Sequence, residues 1–212
     1  TSETDFEIGL PVCFFRVYKT IGINPTTGDI NIVVVNKAGA INNNDFTFIG
    51  SAIPDITFGA TINLEYKGFD FTVFAQGQQG NDVLMGMIRT DRPATNKLAI
   101  FFEDRWTPTN TNASRPSATV NPRYWTSDQM IFDGSFIKIK QIQLGYTLPK
   151  SLTEKAHIGK TRIYCTLDDY FIFTKYPGMD PEAASTVNNS IGIDRGFFPI
   201  AKKALFGLSL SF

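Results

Sequence analysis

Six side chains between residues 80 and 134 have the types that bind polar, ring-shaped ligands: Arg105, Trp106, Arg123, Tyr124, Trp125 and Asp128. Indole and phenol rings offer flat faces that stack on sugar rings, and guanidinium and carboxylate groups beside them hydrogen-bond hydroxyls. Trp106, Arg123, Tyr124, Trp125 and Asp128 are therefore the candidate substrate-binding residues. A second role fits the same residues. "DRWTP" would suit an anchor that packs Trp106 onto neighbouring protein, and Tyr124 and Trp125 could equally line a cavity or hold the loop in shape.

Chemistry that breaks bonds finds no such support. His157 stands in the polar turn "SLTEKAHIGK" without a nucleophile pattern nearby. Asp168 and Asp169 are neighbours on a strand, which places them on opposite faces, so they are not expected to share a substrate. "GQQGND" lacks the following helix and the Lys of a phosphate loop. Cys13 and Cys165 fit no metal spacing and read as small apolar residues. The expectation is a chain that is not an enzyme and holds no cofactor.

Twenty basic and twenty acidic side chains in 212 residues balance to zero, which removes the electrostatic footprint of a nucleic-acid binder. Nineteen Phe, abundant turn residues and little sign of amphipathic helices point to an all-β chain. No stretch nears the roughly 20 apolar residues of a membrane helix, so any bilayer contact falls to strands. The opening "TSETDFEIGLP" is no basic-then-apolar leader, and is expected to begin a mature product or an internal piece.

The elements that must position these residues are long strands. In "ITFGATINLEYKGFDFTVFAQGQQGN" (56–81), Ile56, Phe58, Ala60, Ile62, Leu64 and Tyr66 alternate with small or polar residues. After Lys67-Gly68, Phe69, Phe71, Val73 and Ala75 resume the pattern, with Phe74 the one apolar intruder. Each arm has the roughly 10 residues of a tilted membrane strand, against the 5–6 typical of soluble ones. Aromatic residues gather at the turn (Tyr66, Phe69, Phe71), as an interfacial girdle requires. Further strands are read at about 135–148, 161–174 and the C-terminal "KKALFGLSLSF", and a weaker sixth at about 6–19. Links of about 20–53, 80–134 and 175–198 are long, whereas Lys67-Gly68 and 149–159 are short. Up-and-down strands put all long links at one end, an asymmetry of membrane barrels. An all-β, membrane-spanning antiparallel β-barrel segment is therefore expected, its open edges completed by another chain or by a preceding part.

Several stretches sharpen this expectation. "PDITFGATINLEYKGFDFTVFAQGQQGND" (54–82), "EDRWTPTN" (103–110), "DGSFIKIKQIQLGYTLPKSL" (133–152), "KYPGMDPE" (175–182), "GIDRGFFP" (192–199) and "FGLSLSF" (206–212) resemble the C-terminal region of SusC/RagA-type TonB-dependent transporters. The resemblance implies that residues 1–212 are about the last six strands of a barrel of about 22 strands in the outer membrane. It also implies that the plug and the segment that couples to TonB lie in another part or another chain. The implied partners are that remaining barrel and plug polypeptide, a SusD-like lipoprotein lid, TonB, outer-membrane lipid, and an oligosaccharide or oligopeptide substrate, with no nucleic acid. The three long links would be extracellular. Inward-facing Asn63, Glu65, Asp70, Gln76, Gln78, Gln141 and Gln143 would pack against the plug. One departure concerns metal: where the family carries an acidic, calcium-like loop, this chain reads "VVVNKAGAI" (33–41), too poor in oxygen ligands to hold a hard cation. Rival readings are a SusC-like scaffold for surface lipoproteins that transports nothing, and a soluble β-sandwich.

Overall fold

A computed structural model describes residues 4–5, 8–11, 13–36, 39–87, 98–118, 121–154, 159–183 and 191–211. His157 and Phe212 lie outside the described residues. Thirteen strands are described: β1 Thr4–Asp5, β2 Phe14–Tyr18, β3 Thr20–Ile23, β4 Ile30–Ile32, β5 Phe46–Ser51, β6 Ile56–Tyr66, β7 Phe69–Gln79, β8 Asp82–Met85, β9 Ile131–Asp133, β10 Phe136–Thr147, β11 Lys160–Thr174, β12 Ile193–Asp194 and β13 Lys203–Ser211. They divide between two compact units that interleave along the chain. One comprises Thr1–Pro54, Gly80–Gly134 and Tyr176–Phe198; the other comprises Asp55–Gln79, Ser135–Lys175 and Pro199–Phe212.

The second unit is a five-stranded sheet in the order β13-β11-β10-β7-β6. Every pairing is antiparallel. Its strands run 9 to 15 residues, long enough to cross a bilayer at a tilt. β6 and β7 are joined by Lys67 and Gly68, with φ of 48° and 87°. Two consecutive left-handed residues make the tight hairpin whose twist matches that of the strands it joins. β10 and β11 are linked through one helical turn, Lys150–Thr153. Both short links and the end of β13 therefore lie at one end of the sheet. The three long links leave from the other.

Those long links are not structureless. With the N-terminal segment they form the first unit, built of small sheets ordered β1-β2-β5, β12-β8-β9 and β3-β4. A core of Phe15, Val83, Leu84, Met85, Met130 and Ile193, among others, holds the three chain segments together. The weak sixth strand expected at 6–19 belongs here. Phe14–Tyr18 is buried on both faces apart from Arg16 and pairs with β1 and β5. The reason is its composition: Phe14, Phe15, Val17 and Tyr18 fill both faces, whereas a strand between lipid and a polar lumen must alternate. Among the described residues the long-stranded sheet thus has five strands, where six were expected.

Candidate functional site

The sheet's two faces differ in chemistry along every strand. In register across the five strands, Tyr66, Phe69, Tyr146, Ile163 and Leu208 lie in one row, and Leu64, Phe71, Leu144, Cys165 and Phe206 in the next. These apolar side chains share one face of the sheet. Ile62, Leu144 and Leu208 are 56%, 51% and 61% exposed, while Phe71 and Cys165 are half-buried among their neighbours. In water so large an apolar surface would be covered. Tyr66, Phe69 and Tyr146 form an aromatic rim at the hairpin end, the rings of Phe69 and Tyr146 only 4.5 Å apart.

Two bulges keep that face continuous. Between Ile139 and Gln141 the pairing slips against both neighbours: Ile139 faces Ala75 and Phe171, while Gln141 faces Phe74 and Asp168. If the strand alternated regularly through Lys140 with no bulge, Ile137 and Ile139 would fall on the face opposite Ile142 and Leu144. Asp169 takes φ 58° at the bulge of β11. This corrects the expectation for Asp168-Asp169. The left-handed residue breaks the alternation, so Asp169 turns to the polar face with Asp168. Its Oδ1 there meets Lys140 Nζ at 2.9 Å and Lys138 Nζ at 3.7 Å. The carboxylate there is the counter-ion of both ammonium groups.

The polar face carries Asn63, Glu65, Asp70, Gln76, Gln78, Gln141 and Gln143, as their register positions require. Thr72 Oγ1 donates to Asn63 Oδ1 at 2.9 Å. Arg162 on β11 reaches over Gly145 of β10 to Asp70 on β7. The Tyr164 ring lies across Gly207 in the same manner, and Phe74 covers Gly59. At the hairpin end Asn63, Glu65, Asp70, Thr72, Gln143 and Arg162 border a concavity of about 640 Å³ that also meets Lys67, Lys160 and Thr147.

The candidate substrate-binding residues lie in the first unit, each tied to its surroundings. Tyr124, 2% exposed, is in the core, where burial pushes its hydroxyl above the ordinary tyrosine value against a smaller opposing pull from Arg115. Trp125 meets it edge-on at 4.8 Å and touches Phe101 at 5.5 Å. Trp106 donates from Nε1 to the Pro25 carbonyl at 2.9 Å and packs over Gly28, where a Cβ would come within 2.5 Å of the indole. Asp128 accepts from Thr20 Oγ1 at 2.6 Å and pairs with Lys19 at 3.2 Å. Arg123 is exposed, and its guanidinium donates to the Ile41 carbonyl at 3.3 Å. Tyr124 and Trp125 are thus brought together, while Trp106 and Asp128 are each fixed to a different segment.

Three polar residues that organise this unit escaped the sequence reading. Asp104 accepts from Ser114 and Asn110, in that order of importance, which holds its carboxyl below the ordinary range. Tyr176 of "KYPGMDPE" donates to Asp194 of "GIDRGFFP" at 2.6 Å, joining two of the distinctive stretches. Asp45 is fully buried and accepts from the backbone N–H groups of Asn36, Asn42 and Val35. Val35, Asn36 and Asn42 are thereby gathered around one carboxylate. The Asn42-x-x-Asp45 spacing, a capping box, was the available signal.

No protein-family model matches the chain. It is 34% identical over 181 residues to TonB-dependent receptor P3 of Formosa agariphila, covering 82% of this chain and 18% of that protein. To TonB-dependent receptor SusC of Bacteroides thetaiotaomicron it is 31% identical over 180 residues, covering 84% of this chain and 17% of the relative. The chain therefore spans less than a fifth of the length of these relatives. Among solved structures, the RagAB peptide importer in its open-open state is similar over 100% of this chain and 23% of that one, with a TM-score of 0.80 and 25% identity.

Proposed function

Because the chain belongs to the SusC/RagA-like TonB-dependent receptors of the bacterial outer membrane, we propose that its five-stranded sheet is a C-terminal part of the wall of a nutrient importer. The observation that carries this reading is the outward apolar face, continuous over β6, β7, β10, β11 and β13 and backed by a polar one. Lipid tails cover the first face, and the second borders the lumen, where a plug supplied by the remaining polypeptide packs against it. The unpaired edges of β6 and β13 join the rest of a barrel of about 22 strands, since open backbone edges in lipid cost several kcal/mol per group.

The folded unit of long links stands on the extracellular side in this reading, beneath a SusD-like lipoprotein lid. An oligopeptide or oligosaccharide is captured there, and TonB acts on the plug from the periplasm to release it inward. The exposed Arg123 guanidinium contacts substrate, while Trp106, Tyr124, Trp125 and Asp128 hold the wall that presents it. No catalytic residue is assigned. The test is the intact mass of the detergent-extracted complex. A companion polypeptide or longer chain carrying a plug, and co-purifying lipoprotein, are expected. Recovery of the chain without detergent would overturn the membrane assignment.

A further inference from the structure

We propose that a groove on the apolar face, near the hairpin end, binds one anionic phospholipid, with an acyl chain in the groove and the phosphate on Lys67. The groove has a volume of about 510 Å³. Leu144 and Tyr146 form one wall and Phe206 and Leu208 the other. Ile163 and Cys165 make the floor. Its depth comes from Cys165, a two-atom side chain set in register between Leu144 and Phe206.

The occupant follows from what surrounds the groove. Its lining is continuous with the face that meets lipid, so an acyl chain is the apolar body at hand. Its upper end stops at the ring pair of Phe69 and Tyr146. Just beyond that rim Lys67 folds back, its Nζ 5.1 Å from the ring centre of Tyr66, which puts an ammonium at the edge of the apolar face. Among the described residues no carboxylate pairs with Lys67. Lys150 is a second exposed cation at this end. An aromatic rim with an unneutralised ammonium above it and an apolar cleft below matches a phosphate headgroup and its chain.

The inference rests on the membrane reading above, and the test separates the two. The complex is placed in vesicles of brominated phosphatidylglycerol or brominated phosphatidylcholine, and quenching is read at two introduced tryptophans. Leu144→Trp reports the groove, and Ile62→Trp reports the apolar face away from it. Leu144→Trp should favour phosphatidylglycerol by about fivefold, the discrimination of one lysine near an anionic surface. Lys67→Gln should abolish that preference, and so should Cys165→Phe, which fills the floor. Ile62→Trp should be quenched equally by both lipids. Equal quenching at both positions, or a preference that survives Cys165→Phe, would overturn the site while leaving the sheet in the membrane. Quenching at neither position would overturn the membrane reading itself.

Discussion

Arg162 closes on Asp70 with both arms of its guanidinium, Nε to Oδ1 at 2.9 Å and Nη2 to Oδ2 at 2.5 Å, across the strand that separates them. The crossing is possible only because residue 145 is glycine. A Cβ there would lie 2.4 Å from Asp70 Oδ1 and 2.5 Å from Arg162 Nη2. The bridge therefore ties three adjacent strands into one plate. With each partner about a quarter exposed, Arg162→Met or Asp70→Asn should cost about 1 kcal/mol. Gly145→Val displaces both partners and should cost more than either. A double-mutant cycle read by thermal unfolding in detergent checks the coupling, and additive losses would refute it.

Asp169 carries a heavier duty, because its Oδ1 lies 2.9 Å from Lys140 Nζ and 3.7 Å from Lys138 Nζ, whose side chain is 3% exposed. Removing one member of a buried pair costs about 3–5 kcal/mol. Asp169→Asn keeps a residue that accepts the left-handed backbone and loses the charge. Asp169→Ala loses both. Denaturant unfolding should rank the wild type above Asp169→Asn, and Asp169→Ala last.

Position along the strand should govern the tolerance of the outer face. Ile62 lies near the middle of β6 and Tyr66 at its end. In a bilayer, Ile62→Arg should cost about 2–4 kcal/mol and Tyr66→Arg no more than about 1. Comparable small losses at both positions, measured by unfolding in vesicles, would mean that water covers this face.

The Asp45 loop should loosen in acid. Hydrogen bonds from the Asn36 and then the Asn42 backbone hold the Asp45 carboxyl below its ordinary value of 3.8. A group whose folded value is depressed contributes stability that is present above the unfolded value and is lost as pH falls through the folded one. Protease cleavage between residues 33 and 45 should therefore rise below about pH 4 in the wild type. In Asp45→Asn it should be high and flat across pH.

Much of the sheet was legible because an apolar face on one side and a polar face on the other impose a two-residue period. Residues 56–66 and 69–79 obey it, and Lys67-Gly68 marks the turn. One bulge left a trace, since Ile137 and Ile139 fall out of step with Ile142, Leu144 and Tyr146. The bulge at Asp169 left none, because Leu167 and Phe171 remain in step across it. The loop unit was harder to read. Whether an aromatic ring faces water depends on partners far along the chain: Trp106 is set by Pro25 and Gly28, and Tyr124 is sealed in a core with Phe15 and Met130. The bond from Tyr176 to Asp194 likewise has no local pattern to betray it.

The interleaving of the two units constrains inheritance. Residues 1–54, 80–134 and 176–198 form one unit with a shared core although strands of the sheet separate them in the chain. A recombination event that imports only one of these stretches from a relative would bring a third of an interior to meet two foreign thirds. Exchange of this unit between relatives should then proceed by moving all three together, whereas single substitutions at exposed places such as Arg123 leave the shared interior intact.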